Sequence, residues 1–318
     1  MRIVFPEGSG CVQKPEDLLP VKKLGTVDYY DTPPQNKADL IQRLRDADVV
    51  FLDYSVMDAE VIAACPKLKF ICFFGIGYGN CIDVAAATRH GVTVSYTPGY
   101  GATAVAEFTL GLLLSLTRHI AASSYSMHHA EWLSAKFQGL DLKGKTLGIV
   151  GLGPIGADVA RVAAGIGMNL LAWTRNASPE RAQYGLRLVS LEELFSAADV
   201  VSVHLSLNPQ TERLISRAFL EKMKPTAYFI NTSRAKLVDN EALAELLRTN
   251  RIAGAALDVH EEEPAPMNYV FNGLPNVLVT PHIAYNSKEA GENMLRIAYD
   301  TLFAFLKGEK LHVVNPTG

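Results

Sequence analysis

A glycine fingerprint in the middle of the sequence constrains the possible folds more than any other feature. The segment Gly-Leu-Gly-Pro-Ile-Gly occupies residues 151–156, directly after the short apolar run Thr-Leu-Gly-Ile-Val of residues 146–150. The stretch that follows has apolar residues at helical spacing, with Val159 and Ala163 on one face. Strand, glycines and helix in this order are typical of dinucleotide-binding units. The order predicts a parallel α/β domain in the second half of the chain.

The three glycines are expected to let the backbone approach a pyrophosphate. Gly151 permits the tight turn, Gly153 lets the phosphates approach the main chain, and Gly156 lets the helix pack closely on the sheet. The amino end of the helix adds amide donors and a positive dipole end. The alternative is a glycine-rich turn without a ligand. We predict cofactor contacts from the whole fingerprint, which consists of Gly151, Leu152, Gly153, Pro154, Ile155 and Gly156.

The residues after the next predicted strand bear on the choice of cofactor. NAD-selective sites commonly place an Asp or Glu about 20 residues after the glycines, where it binds ribose hydroxyls. Here Thr174 stands at that place and Arg175 follows it. A carboxylate would repel a 2′-phosphate, whereas an arginine pairs with it. We therefore predict that NADP is preferred; NAD stays the alternative, because Arg175 can also stack on the adenine.

Short β-branched or aromatic runs alternate with helical patterns along the whole chain, which is typical of parallel sheets covered by helices on both faces. Ser190 with Glu193 fits a capping box, Asp239 and Ser287 are predicted to cap two further helices, and Gly308 to end the last one. In the first series, strands are predicted at 2–5, 48–53, 69–74 and 92–96, and helices at 37–46, 58–65, 83–90 and 102–119. The second series of strands is predicted at 145–150, 169–173, 199–205, 227–233, 252–259 and 276–280.

Length and charge narrow the class of protein. The 318 residues fit about two domains of ~150 residues each. A net charge of -3 shows no electrostatic footprint for nucleic acid, and the spacing of the four cysteines predicts no metal site. The longest apolar run, residues 105–117, is shorter than the ~20 residues of a membrane span and predicts a buried helix. Without a recognisable secretory signal, we expect a cytoplasmic protein with no membrane partner.

Three further stretches place chemically active side chains after predicted strands. Arg234, Glu263 and His282 each follow a different strand of the second series. Ligands of open α/β sheets bind at the carboxyl ends of the strands, so we expect these side chains at one edge. Each residue also has a non-catalytic interpretation. Arg234 fits a surface charge, Glu263 a solvated acidic turn and His282 a structural histidine.

Together with the central fingerprint, these motifs resemble those of the D-isomer-specific 2-hydroxyacid dehydrogenases, and the resemblance spans nearly the whole chain. It implies an α/β fold of two doubly wound parallel-sheet domains, with a Rossmann nucleotide domain inserted into a flavodoxin-like substrate domain. Residues 1–99 and 286–318 would form the substrate-binding domain, and residues 100–285 the NAD(P)-binding domain. Helices of residues 101–134 would hold a homodimer.

The resemblance also implies roles for single residues. Arg234 would hold the 2-oxo acid, His282 would exchange the proton, and Glu263 would pair with His282 and favour the imidazolium. The backbone of Ile76 and Gly77 would bind the substrate carboxylate. Tyr100 is a further candidate for the substrate pocket, although it equally fits a packing role. Additional cofactor contacts are implied at His204, Thr232 and Asp258.

We therefore expect an oxidoreductase that transfers hydride between NADP(H) and a small 2-oxo or D-2-hydroxy acid, such as glyoxylate or hydroxypyruvate. Residues 51–55 lack a basic side chain that would hold a phosphate, which disfavours phosphorylated substrates. Two alternatives stay open. One is an NAD-dependent enzyme for a bulkier substrate, and the other is a non-enzymatic, nucleotide-sensing corepressor.

Overall fold

The computed structural model describes residues 1–8 and 10–315, which divide into two compact units. The first unit comprises Met1–Gly101 and the C-terminal segment from Asn286, and the second comprises Ala102–Tyr285. The second unit is therefore an insertion into the first. That the first unit binds substrate and the second binds cofactor stays a prediction at this point.

Strands and helices alternate in both units and are numbered along the chain. The strands are β1 (Arg2–Phe5), β2 (Thr26–Tyr29), β3 (Val49–Leu52), β4 (Phe70–Phe73), β5 (Thr93–Tyr96), β6 (Thr146–Val150), β7 (Asn169–Trp173), β8 (Arg187–Leu188), β9 (Val200–Val203), β10 (Tyr228–Asn231), β11 (Gly254–Leu257) and β12 (Val277–Val279). The α-helices are α1 (Leu19–Lys22), α2 (Lys37–Leu44), α3 (Ala59–Ala63), α4 (Val84–Arg89), α5 (Ala102–Thr117), α6 (Ile120–His128), α7 (Pro154–Ile166), α8 (Leu191–Ala197), α9 (Arg217–Leu220), α10 (Asn240–Arg248) and α11 (Lys288–Leu306).

The sheet of the first unit is parallel and has the strand order β2-β1-β3-β4-β5, which is the flavodoxin-like order. Alternate residues of each strand point to opposite faces. Val4 and Val50 belong to the apolar cluster that includes side chains of α2, α3 and α4, whereas Ile3 and Val49 belong to the cluster that includes α1 and α11. The first sheet is therefore covered by helices on both faces.

The sheet of the second unit is also parallel, in the order β12-β11-β10-β9-β6-β7-β8. Counted from β6, this is the Rossmann order with one strand added at the β12 edge. Val201 and Phe229 pack with α8 and α10 on one face, and Ile149 and Ile230 pack with α5 and α7 on the other. The predicted fold class, two doubly wound parallel sheets, is confirmed.

The predicted helix caps are present, with one correction. The side chains of Ser190, Asp239 and Ser287 each accept a hydrogen bond from the backbone N–H three residues later. Gly308 has a φ of 78° and ends α11, as predicted. The capping box at Ser190 is wrong in one half, because the Glu193 carboxylate accepts a hydrogen bond from Nη2 of Arg187, at 3.0 Å.

Two short strands and one helix end differ from the sequence-based predictions. β2 and β8 were not predicted, and both lie at sheet edges where one side has no pairing strand. Their residues are partly or fully exposed, so they lack the apolar run of a central strand. The helix predicted at 102–119 ends at Thr117, and His119 adopts a φ of 55° before α6 begins.

The helices of the described residues are short or only partly apolar by the measure of a membrane span. Within these, no single helix is both long and apolar enough to cross a membrane. The pair α5 and α6 has the required length and composition only when the two helices are counted together, and a bend of 63° separates them.

Two glycines of α7 give opposite predictions for stability. A Cβ on Gly156 would lie 2.1 Å from the carbonyl oxygen of Gly151, whereas a Cβ on Gly165 would meet no heavy atom within 4 Å. Gly156→Ala should lower the free energy of unfolding by roughly 1–3 kcal/mol through overpacking. Gly165→Ala is the matched control and should raise it by about 0.5–1 kcal/mol. Equal midpoints for the two variants in urea or thermal unfolding would contradict the close contact.

Candidate active site

The strand order brings three distant parts of the sequence to one edge of the second sheet. β10, β11 and β12 are parallel neighbours, so their carboxyl ends lie side by side. Arg234 follows β10, Asp258 follows β11 and His282 follows β12. Arg234, Glu263 and His282 therefore follow three adjacent strand ends, and their use as one site stays a prediction.

Glu263 and His282 form a hydrogen-bonded pair at this edge. Nδ1 of His282 lies 2.7 Å from Oε2 of Glu263, and Oε1 of Glu263 accepts the backbone N–H of His260 at 3.0 Å. Burial alone would raise the pKa of Glu263, but the hydrogen bonds from His282 and His260 outweigh it and lower that pKa. An ionised carboxylate only accepts, so Nδ1 carries the hydrogen. Among the described residues, Nε2 of His282 has no hydrogen-bond partner, which leaves it for a ligand.

Asp258 holds the loop that carries His282. Its side chain is completely buried; Oδ1 accepts the Thr280 hydroxyl at 2.5 Å and the Ile283 N–H at 3.0 Å, and Oδ2 accepts the Ala284 N–H at 2.8 Å. His282 itself has a φ of 53°, a conformation that non-glycine residues seldom adopt. The buried carboxylate therefore stabilises an unusual backbone conformation at His282. The cofactor contact implied for Asp258 stays a prediction.

His260 and Tyr269 belong to the same network and were missed in the sequence. Nε2 of His260 lies 2.9 Å from the Thr280 carbonyl oxygen, and Nδ1 lies 2.7 Å from the Tyr269 hydroxyl. A carbonyl only accepts, so the hydrogen is on Nε2 and Nδ1 accepts from Tyr269. Burial raises the pKa of Tyr269 to about 12, so its hydroxyl keeps its proton. His260 thus ties the Glu263 loop to the end of β12; no local pattern signals this, because its partners are far away in sequence.

Arg234 stands in a turn that hydrogen bonds from the side chains of Asn231 and Ser233 stabilise. Nδ2 of Asn231 donates to the Arg234 carbonyl at 3.0 Å, and the Ser233 hydroxyl donates to the Val203 carbonyl at 2.8 Å. Nη1 of Arg234 donates to the Ser233 carbonyl at 2.7 Å. Among the described contacts, none joins Arg234 directly to Glu263 or His282. Most of the guanidinium fork is therefore not used by the protein itself.

The glycine fingerprint has the shape that a pyrophosphate requires. Gly151 has a φ of 104°, and a Cβ there would lie 2.6 Å from the carbonyl oxygen of His204. A Cβ on Gly153 would meet no heavy atom within 4 Å, so the space beside this residue is open. Gly153 caps α7 without a side-chain hydrogen bond to the first turn, and Pro154 begins the helix. The amino end of α7 therefore fits an anionic group.

Thr174 and Arg175 directly follow β7, as expected for residues near the adenosine ribose. Arg175 is exposed and forms no ion pair with any described residue. A third residue was missed in the sequence: Nη1 of Arg181 donates to the Leu152 carbonyl at 3.0 Å and so ties this loop to the fingerprint. No acidic side chain stands at the Thr174 position to favour NAD.

His204 and Thr232 lie at the ends of central strands and are buried. Burial lowers the pKa of His204 to about 3, so its ring is neutral. Nε2 of His204 lies 2.8 Å from the Ser202 hydroxyl, while its buried Nδ1 has no partner among the described residues. The Thr232 hydroxyl lies 3.0 Å from that of Thr109 on α5. A neutral histidine with one unsatisfied nitrogen fits cofactor packing and does not fit proton transfer.

The predicted substrate residues Ile76, Gly77 and Tyr100 all belong to the first unit. Ile76 and Gly77 lie in the loop after β4, and Ile76 is 46% exposed. Within the described part of the chain, no acceptor takes the amide hydrogens of these two residues. Tyr100 packs against the apolar cluster between the first sheet and α11. The loop after β4 therefore presents two amide donors. Tyr100 contributes to packing, and its place in a substrate pocket stays a prediction.

Comparison with known proteins identifies the family. Residues 110–284 match the family described as D-isomer specific 2-hydroxyacid dehydrogenase, NAD binding domain. The glyoxylate reductase of Thermofilum pendens is 40% identical over 88% of this chain and 84% of its own length. The hydroxypyruvate reductase of Blautia hydrogenotrophica is 32% identical over 99% of this chain and 100% of its own. The structure of the pyruvate reductase of Chlamydomonas reinhardtii is similar with a TM-score of 0.86 and 28% identity, over 98% of both chains. The chain belongs to the D-isomer specific 2-hydroxyacid dehydrogenase family.

Proposed function

We propose that this 2-hydroxyacid dehydrogenase reduces small, unphosphorylated 2-oxo acids, with glyoxylate and hydroxypyruvate as the first candidates, and that it prefers NADPH to NADH. The observation that carries the proposal is the Glu263–His282 pair at the sheet edge that also holds Arg234. The names of the relatives from Thermofilum pendens and Blautia hydrogenotrophica support this substrate class.

In the proposed mechanism, bound NAD(P)H would supply a hydride to the keto carbon of the substrate. Arg234 binds the substrate carboxylate with the part of its fork that no protein group uses, and it polarises the keto oxygen. His282 donates the proton on Nε2 to that oxygen as negative charge develops there. Glu263 holds Nδ1 and stabilises the imidazolium, so the ring keeps one orientation throughout.

The same proposal assigns the cofactor contacts. The amino end of α7 with Gly151, Gly153 and Gly156 would hold the pyrophosphate, and Thr174 with Arg175 would bind the 2′-phosphate. These assignments are supported by the open space beside Gly153 and by the exposed guanidinium of Arg175, which has no ion-pair partner among the described residues. Contacts from Leu152, Pro154, Ile155, His204, Thr232 and Asp258 complete the proposed set.

We also propose a homodimer that buries the region of α6. Large apolar side chains are exposed there on the single chain, and Trp132 is 79% exposed. Several large exposed apolar side chains in one segment favour a protein–protein interface there. The side chains concerned are Ile120, Tyr125, Met127, Trp132 and Leu133.

Removing either proposed catalytic side chain should abolish most turnover. Arg234→Ala and His282→Ala should each lower kcat/KM for glyoxylate by about 10²–10⁴-fold, because a carboxylate clamp or a proton donor is lost. The Kd for NADPH, measured by nucleotide fluorescence, should stay close to the wild-type value. Arg248→Ala and His90→Ala, which change exposed residues elsewhere, are the controls. Near-normal rates in either catalytic variant would refute its assigned role.

Glu263→Gln should reduce kcat and also change the pH dependence of stability. The pKa of Glu263 is lower in the folded protein than its unfolded value of about 4.3. Its stabilising effect is therefore present above about pH 4.3 and is lost as the pH falls through the lower folded pKa. The Tm difference from wild type should be clear near about pH 5.5 and shrink below about pH 4. Glu262→Gln is the neighbouring control, and an identical pH profile for both variants would argue against the pair.

Cofactor preference should depend on the residues after β7. Thr174→Asp places a carboxylate where it repels a 2′-phosphate, so the ratio of kcat/KM with NADPH to that with NADH should fall by about tenfold or more. Arg175→Ala should lower the ratio in the same direction. Thr226→Asp makes the same change at the amino end of β10 and serves as the control. An unchanged ratio in both variants at 174 and 175 would contradict the preference for NADPH.

A further inference from the structure

Glu7 in the first unit is a buried carboxylate that has no cationic partner in the described part of the chain. Its side chain is 1% exposed, and it forms no ion pair with any described residue. Acidic side chains are almost never fully buried unless they are paired. The burial of Glu7 therefore requires other groups that satisfy both oxygens.

Three consecutive backbone amides supply those groups. Oε1 of Glu7 accepts the N–H of Asp53 at 2.8 Å, of Tyr54 at 2.9 Å and of Ser55 at 3.1 Å. Oε2 accepts the N–H of Ser55 at 3.1 Å and also contacts the Ser55 hydroxyl. Successive amides that converge on one point form an anion-binding concavity, here called the 53–55 nest. Glu7 is the anion that occupies it.

The 53–55 nest lies where a flavodoxin-like sheet binds ligands. The order β2-β1-β3-β4-β5 changes direction at β1, so the crevice at the carboxyl ends opens between β1 and β3. Glu7 follows β1 by two residues, and the nest follows β3 directly. The side chain of Glu7 thus fills the crevice that an external anion would enter.

The nest is also next to the loop proposed to bind the substrate carboxylate. β3 pairs with β4, and the N–H of Phe74 donates to the Leu52 carbonyl at 2.7 Å, immediately before the two loops begin. Neighbouring strands lie about 4.8 Å apart, which is comparable with the length of a three-carbon acid. A substrate held by Ile76 and Gly77 can therefore bring its distal end to residues 53–55.

The basic side chain nearest in the hydrogen-bond network, Arg43, forms no ion pair with Glu7. Arg43 on α2 contacts the loop after β1, which carries Glu7. Its Nη1 donates a hydrogen bond to the Pro6 carbonyl at 2.7 Å. The same Nη1 also donates to the Thr32 carbonyl, and Nη2 pairs with Asp39. A second anion at the nest would have to displace the Glu7 carboxylate or bind directly beside it. Two negative charges in direct contact repel each other, so the second position is unfavourable.

We propose that Glu7 is an internal anion that fills the 53–55 nest and thereby excludes 2-oxo acids that carry a phosphate at the end distal to the carboxylate. Selectivity against phosphorylated substrates then comes from an occupied anion site, in addition to the absence of a basic side chain in residues 51–55. The inference rests on the proposed function for its choice of substrate. The anion site itself does not depend on turnover.

Glu7→Ala should turn the nest into a site for inorganic phosphate. Deleting the carboxylate leaves buried amides unsatisfied and lowers Tm. Phosphate should restore part of the lost Tm at constant ionic strength, because a ligand that binds the folded state stabilises it. The wild-type protein and Glu16→Ala, which removes an exposed acidic residue of the same unit, should respond to phosphate no more than to chloride. An identical phosphate response in all three proteins would overturn the anion site.

Substrate discrimination tests the functional half of the proposal. The ratio of kcat/KM for phosphohydroxypyruvate to that for hydroxypyruvate should rise by at least about tenfold in Glu7→Ala, a change of about 1.4 kcal/mol. Glu7→Gln retains an oxygen for the amides and loses the charge, so its ratio should rise less. Should Glu7→Ala fail to fold, Glu7→Gln carries the comparison of the two substrates, and Glu7→Ser, which is too short to reach the amides, carries the phosphate titration. An unchanged ratio would overturn the exclusion role. Absence of wild-type turnover with either acid would instead refute the proposed function, and the phosphate titration would still decide on the nest.

Discussion

The carboxylate of Asp258 is buried at the end of β11, and the candidate active site depends on the hydrogen bonds that it accepts. A buried carboxylate is costly unless donors satisfy it, so the protein must supply three from Thr280, Ile283 and Ala284. These donors come from the loop that carries His282. Because these hydrogen bonds are needed to satisfy the buried carboxylate, they hold the loop in one position, including the left-handed backbone of His282.

The first unit also has a buried carboxylate that accepts hydrogen bonds from a loop at the end of a neighbouring strand. Glu7 follows β1 and is satisfied by amides of the loop after β3, much as Asp258 follows β11 and is satisfied by amides of the loop after β12. In both cases a carboxylate links the ends of two strands through hydrogen bonds, and it forms no ion pair with any described residue. Backbone donors are rigid and cannot rotate away, so each loop is fixed more firmly than a long charged side chain would fix it.

Histidines in this chain differ in chemistry because their surroundings differ. His204 is buried without a charged partner and is neutral, whereas His282 is partly exposed and contacts an ionised carboxylate. His260 spans two loops and uses both ring nitrogens for protein contacts. Of the three, His282 alone retains a nitrogen that is both reachable and without a described protein partner, which is what exchange of a proton with a substrate requires.

The sequence by itself determined the fold class, the central strands, the glycine turn and the helix caps, because these depend on local patterns. Apolar runs, the spacing of the glycines and residues such as Ser287 act within one turn or one strand. It also placed Arg234, Glu263 and His282 after three strands, although only the parallel pairing of β10, β11 and β12 makes those ends adjacent. Family resemblance, more than periodicity, supplied their roles.

Tertiary structure alone decided the edge strands and the long-range hydrogen bonds. These bonds hold the loop after β3 in the first unit and the loops after β11 and β12 in the second. β2 and β8 have little apolar pattern and exist because a neighbouring strand offers a free edge. Glu7 reaches amides 46 to 48 residues away, and His260 reaches the Thr280 carbonyl 20 residues away. Such contacts follow from the register of strands and the closure of loops, neither of which leaves a periodic signal in the chain. Local propensity therefore specifies the elements, and burial of polar groups specifies how their ends are joined.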